Sequence, residues 1–226
     1  MTLSLVAADP ATGEVGVAIT SSSPAVAARC AHVRAGVGAV ATQNVTDPRL
    51  GPDLLDRLAA GVSPEAALRA LIGDQPPALM AFRQLTVVAP DGRTAIFSGD
   101  HALGVVGEHQ GTAVVAAGNL LAAATVPMIA AAACESARGP LAARLLAGLN
   151  AGIAAGGEAG PVHSAGLLVA RDVAWAVTDL RVDWADEDPV GQLNALWERW
   201  QPELEGYVTR ALQPGAAPSF GVPGDE

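Results

Sequence analysis

The chain contains no lysine: all 13 of its basic residues are arginine. That absence closes Schiff-base chemistry, a Walker-type phosphate loop and a side-chain ammonium acting as general base. Basic charge is also scarce overall. Acidic residues number 23, the net charge is −10, and no basic stripe interrupts the sequence. Nucleic acid and anionic membrane surfaces are therefore excluded as expected partners. Cys30 and Cys134 are the only two cysteines, too few for a disulfide framework in a chain of this length. Both sit among alanines and read as small core residues of a reduced, cytoplasmic protein. The longest apolar run, Leu120 to Cys134, holds Pro127 and falls short of the roughly 20 residues that span a bilayer. It reads as a buried helix. No cationic leader opens the chain, which again points to a soluble, cytoplasmic protein.

What is present is apolar material for a core: half of the 226 residues, enough for one substantial domain. Leu3–Ala8 and Val15–Ser21 flank a turn at Asp9–Gly13 and predict a β-hairpin. Gly36–Thr42 suits a buried strand, with a short helical or irregular crossing before it at 24–32. Helices are expected from Pro52 and from Pro64, the latter capped by Ser63. A second hairpin spans Gln84–Ala89 and Thr94–Ser98, and a strand over Thr112–Ala117 ends at Gly118-Asn119. Two Ala/Leu-rich helices follow, Ala122–Ser136 and Pro140–Ala155. The last hairpin is expected at Ser164–Ala170 and Val173–Thr178, then one amphipathic helix from Pro189 to about Leu212. Residues 214–226 read as a flexible tail and 1–213 as a single domain. Adjacent strand pairs with helices between them predict a layered α+β fold of antiparallel sheets.

The first hairpin carries a chemical suggestion. Its register places Thr2 opposite Thr20, or opposite Ser21 if the pairing slips by one. Thr2 and Ser4 share one strand face, Leu3 and Leu5 the other. Initiator methionine is commonly removed before a small residue, which would leave Thr2 with its hydroxyl and a free α-amine on one residue. Such an amine titrates at about 7.7–8.0 and can act as base for its own hydroxyl. In a chain without lysine it is the only amine available for that work. The competing reading is that threonine is an ordinary strand residue and serine runs are ordinary loops.

The opening run Met1–Ala7, with Asp9-Pro10, Thr12-Gly13-Glu14 and Gly16-Val17-Ala18, resembles the bacterial family called domain of unknown function 1028. The resemblance continues through Arg34–Gln43, Asp47–Gly51, Gly118–Leu121, Ser164–Val169 and Asp179–Asp183, covering most of the first 195 residues. It implies a four-layer αββα sandwich of the N-terminal-nucleophile (Ntn) hydrolase type. The implied activity is cleavage of a C–N bond in a small amide-like metabolite, with Thr2 as nucleophile once Met1 is removed. No metal or organic cofactor is implied.

Carried onto this sequence, the matching polar positions are Thr2, Ser21, Gln43, Asn119, Ser164, Asp179, Arg181 and Asp183. Ser21 and the period-two set Asp179, Arg181 and Asp183 would orient the amine, although the same three residues could be a structural ion network. Gln43 and Asn119 end strands and could donate to an oxyanion, or merely cap turns. Around Glu158–His163 the chain departs from the family pattern, which is more polar there. The four histidines lack ligand spacing and read as loop surface. A second class of function stays open, a non-catalytic Ntn-like scaffold that binds a small ligand. Homo-oligomerisation is compatible with either.

Overall fold

The opening hairpin sets the register for everything built on it. In the computed structural model, which describes residues 1–222, β1 (Thr2–Asp9) pairs antiparallel with β2 (Glu14–Ser21). Asp9 lies opposite Glu14, so Thr2 falls opposite Ser21, the second of the two expected registers. Gly13 makes this turn with φ +77 and nothing within 4 Å of where a Cβ would stand. Gly13→Ala therefore meets backbone strain alone and is expected to cost about 1 kcal/mol in urea denaturation.

A short helix α1 (Val26–Cys30) and β3 (Ala31–Arg34) lead into β4 (Gly38–Asn44). Helices α2 (Leu50–Ala59), α3 (Pro64–Asp74) and α4 (Pro77–Met80) precede the hairpin β5 (Arg83–Val88) and β6 (Thr94–Ser98). Then come β7 (Gly107–Gln110), β8 (Val114–Asn119), α5 (Val126–Ser136) and α6 (Leu141–Ala154). The chain continues through β9 (Ser164–Ala170), β10 (Ala176–Val182), α7 (Pro189–Trp200) and α8 (Leu204–Leu212). Two antiparallel sheets result. One has six strands in the order β10-β9-β2-β1-β8-β7, the other four in the order β3-β4-β5-β6. With eight α-helices among the described residues, the fold is α+β.

Strand alternation sorts the apolar residues into three clusters. Leu3, Leu5 and Leu167 of the larger sheet pack with Leu141, Leu145, Leu149 and Leu193 of α6 and α7. Val6, Val17 and Ile19 on its other face meet Ala39, Ala41 and Val88 of the smaller sheet. Val40, Leu85 and Val87 then pack on Leu54, Leu58, Leu68 and Leu71 of α2 and α3. Cys30 and Cys134 are buried free thiols in these clusters. Burial pushes the Cys134 thiol up to about 11, so it stays protonated and inert.

Several element boundaries differ from the sequence expectation, each for a local reason. The last helix breaks after Trp200 because Pro202 has no N–H to continue it. Helix α5 begins at Val126 rather than Ala122: Leu121 bridges Glu158, and Ala122 N–H goes to the Gly157 carbonyl instead. Strand β10 runs over Ala176–Val182, after a longer turn than Arg171-Asp172 alone. Strands β3 and β7 and helix α4 are short pieces without a sequence period of their own. His32 is on β3, half-buried and packed over Gly51, not in a surface loop. Residues 214–222 lie back on α8, with the Arg210 guanidinium over the Phe220 ring at 3.7 Å and bonded to the Pro218 carbonyl. The end of the expected tail, residues 223–226, lies outside the described residues. No described helix is long and apolar enough to cross a membrane.

Candidate functional site

Register places a row of polar side chains across four neighbouring strands. Ser164 of β9 lies opposite Ser21 of β2, Ser21 opposite Thr2 of β1, and Thr2 opposite Asn119 of β8. Cross-strand partners point the same way, and this row continues the face that carries Ser4 and Val6 toward the smaller sheet. All four residues are buried. The row sits at the strand ends, where Thr2 opens β1.

Thr2 Oγ1 and Ser21 Oγ both donate to the Met1 carbonyl, at 2.6 and 2.5 Å, and stand 3.3 Å from each other. Ser21 Oγ also contacts Ser23 Oγ at 2.9 Å and accepts the Ser23 N–H. Arg29 donates to Ser23 Oγ at 2.8 Å, so a guanidinium polarises the hydroxyl chain from outside. Ser164 Oγ donates to the Ser23 carbonyl at 2.6 Å and accepts the Val26 N–H, which fixes the 21–26 segment on the strand ends.

A second network backs this row from the facing sheet. The Gln84 carbonyl oxygen accepts from Gln43 at 2.7 Å and from Asn119 at 3.1 Å. Its amide donates to Ser98 Oγ and to the Gly118 carbonyl. Gln43 spends its amide on Gln84 and the Ala117 carbonyl, leaving only its own buried oxygen unpartnered. Gln43 thus offers an acceptor, not the oxyanion donor expected of it. Asn119 keeps a donor in reserve, because one N–H meets Gln84 and no second partner holds the other. Gln84→Ala removes the shared acceptor and is expected to cost about 3 kcal/mol, read from the denaturation midpoint.

The Asp179, Arg181 and Asp183 set is not brought to Thr2. Asp179 and Arg181 lie on β10, the edge strand, and Asp183 just beyond its end, with Arg181 in the row order Arg181–Gly166–Ile19–Ser4. Three strand spacings separate Arg181 from β1, roughly 14 Å. Arg181 instead forms a bidentate pair with Asp179 at 2.6 and 2.8 Å, and the Asp183 carbonyl accepts the Ala25 N–H. Of the two readings, the structural ion pair is the geometry found. The pair holds the Arg181 guanidinium above its usual range.

The residue that sequence reasoning passed over is Glu158. It is buried, 5% exposed, in the segment after α6. Leu120, at a left-handed φ of 51, turns the chain so that its carbonyl accepts the Ala159 N–H while Leu121 bridges Glu158. One Glu158 oxygen accepts the Ser22 N–H at 3.1 Å and the other has no partner. Met1's ammonium donates to Ser22 Oγ at 3.3 Å, so carboxylate and ammonium are held on the same residue. Burial pushes the Glu158 carboxyl up to about 8, against the pull of the Met1 ammonium and the Ser22 N–H. The sequence signal is its isolation: Glu158 is the only Asp, Glu or Arg between Arg144 and Arg171. His163 stacks on Trp184 at 4.3 Å and binds the Ala185 carbonyl through Nδ1. Among the described residues, no three His, Cys, Asp or Glu side chains cluster in a way that could hold a metal.

Residues 2–193 match a family of unknown function, DUF1028. The crystal structure of a Silicibacter pomeroyi protein, itself assigned to DUF1028, superposes with a TM-score of 0.80 at 27% identity, covering 88% of each chain. Anbu (ancestral beta-subunit) from Yersinia bercovieri aligns at a TM-score of 0.39 and 10% identity over 98% of this chain and 100% of its own, too slight a likeness to show a shared fold. No curated protein matches significantly. The family match spans every strand of both sheets and the polar row that Thr2 opens, and on that span the chain belongs to the family of unknown function DUF1028.

Proposed function

We propose that the protein is an Ntn-type hydrolase that cleaves an amide C–N bond in a small molecule, with Thr2 as nucleophile after removal of Met1. The observation that carries this reading is the position of the Thr2 hydroxyl. It is buried at the first residue of a central strand, on the face between two sheets, beside a second hydroxyl at 3.3 Å. The order of the three apolar clusters, helices on sheet on sheet on helices, favours an αββα sandwich of the Ntn type.

Loss of Met1 removes the carbonyl that both hydroxyls now hold and leaves them facing the vacated space. The Thr2 hydroxyl attacks the substrate carbonyl while its α-amine takes the proton. The same proton passes to the departing amine, and the resulting ester on Thr2 is hydrolysed by water. Ser21 orients the attacking hydroxyl, and the free N–H of Asn119 faces the developing oxyanion. Activity should rise with pH as the amine deprotonates, through about 7.7–8.0.

Intact-mass spectrometry of protein purified from its native host tests the first requirement. The expected mass lacks one methionine residue. Quantitative retention of Met1 would remove the mechanism and leave the ligand-binding scaffold.

A further inference from the structure

Met1 occupies the space that a substrate must enter, and its contacts read as those of a ligand. The residue is an aminoacyl group: an ammonium, a carbonyl two bonds away along the backbone, and a flexible side chain. Its carbonyl takes two hydroxyl donors, Thr2 Oγ1 and Ser21 Oγ. Its ammonium donates to Ser22 Oγ and shares Ser22 with the Glu158 carboxylate. Its side chain runs over Gly160, where an added Cβ would stand 2.8 Å from Met1 Cε and 3.4 Å from Sδ.

Glu158 is the part of this arrangement that a structural role does not explain. A buried carboxylate is costly unless its oxygens are paired. One oxygen meets the Ser22 N–H, but the other has no partner among the described residues. No described arginine pairs with it. The one charge facing it is the ammonium of Met1, which the proposed maturation replaces by the α-amine of Thr2, one residue further along the chain. An unpartnered Glu158 oxygen then remains beside the space that Met1 leaves.

We infer that this position is a subsite for the ammonium of the substrate, which is an α-aminoacyl amide bound with its amine toward Glu158 and Ser22. The inference rests on the Ntn reading of Thr2 and adds to it the class of acyl group. A substrate carbonyl placed near the present Met1 carbonyl lies within reach of Thr2 Oγ1. Its α-ammonium then falls near the present Met1 nitrogen. Hydrolysis transfers the α-aminoacyl group from the amide nitrogen to Thr2 Oγ1, releases the amine with the hydroxyl proton, and returns the free α-amino acid on attack by water. The incoming ammonium supplies the partner that the buried carboxyl lacks and favours its ionised form, with release of the carboxyl proton.

L-methionine amide is the direct probe, since it carries the ammonium, the carbonyl and the side chain of Met1 on an amide nitrogen of its own. Calorimetry on Met1-free protein carrying Thr2→Ala reads binding without turnover. Methionine amide is expected to bind at least about 10-fold more tightly than its N-acetyl derivative. Glu158→Gln should erase that preference while leaving the affinity for the acetylated compound little changed. Equal or tighter binding of the acetylated compound, or no binding of either, overturns the subsite. Ammonia release from methionine amide by the wild-type protein is measured alongside. Amine-selective binding without release keeps the subsite and removes the hydrolase reading; release with equal use of both compounds does the reverse.

Discussion

Thr2→Ala is expected to lower amide hydrolysis by at least about 10⁴-fold with the fold intact. Removal of an attacking hydroxyl from a nucleophilic enzyme costs that much or more, because the remaining groups bind substrate without forming the ester. The structural cost is small by comparison. Among the described residues Thr2 Oγ1 bonds only Ser21 and the Met1 carbonyl that maturation removes, and the Ser21 hydroxyl keeps its Ser23 partner without it. The strand stays paired on both sides through β2 and β8. A change in stability within about 1 kcal/mol is expected, from lost β-propensity and a lost hydrogen bond. Alanine is also small enough for methionine removal, so the mass of the variant should still lack Met1. Thr2→Ser separates the two roles of the residue, retaining a hydroxyl and an α-amine while losing the methyl group that limits rotation about χ1. It should recover part of the rate. Turnover by Thr2→Ala at the wild-type rate would transfer the chemistry to another group.

Much of this site was legible in the sequence because strand pairing is a rule of sums. Once Asp9 and Glu14 flank the turn, Thr2 must meet Ser21, and the hydroxyls of both must face the same way. The Ser164–Val169 block likewise begins where its strand begins, and Gly118-Asn119 ends where its strand ends. What periodicity cannot supply is the distance between sheet edges. Asp179, Arg181 and Asp183 alternate as expected of one strand face, yet strand order puts that face on the far edge. Strand order is a long-range property, set by which surfaces bury best, and no local pattern encodes it. Gln84 reads as a strand residue, but its role depends on meeting Gln43 on the next strand and Asn119 on the facing sheet. Glu158 is a third case. It sits in a stretch whose irregular backbone is held by Leu120 and Leu121, so its neighbours come entirely from elsewhere in the chain.

The pH dependence of stability should carry the signature of Glu158. Its carboxyl is raised by burial from 4.5 to about 8, so the native state holds a proton that the unfolded chain has already lost across that interval. The stability contribution of such a group is fully present below about 4.5 and is lost as pH rises through about 8. The slope is about −1.4 kcal/mol per pH unit within the window, which amounts to several kcal/mol across it. Asp47 and Asp91 run the other way: their arginine partners hold them below the usual carboxylate range, so their contribution fades only as pH falls toward acid. The Asp91–Arg93 pair is exposed on both sides and the Asp47 partner Arg49 lies in solvent, so both pairs weigh little. Glu158→Gln keeps an acceptor for the Ser22 N–H and cannot ionise. Urea midpoints measured between pH 5 and pH 9 should therefore fall steeply for the wild type and stay nearly level for the variant. The variant should be the more stable protein at pH 9. Parallel profiles for the two proteins would show that the carboxylate is already ionised and satisfied in the native state, and would leave the proposed amine subsite without its vacant acceptor.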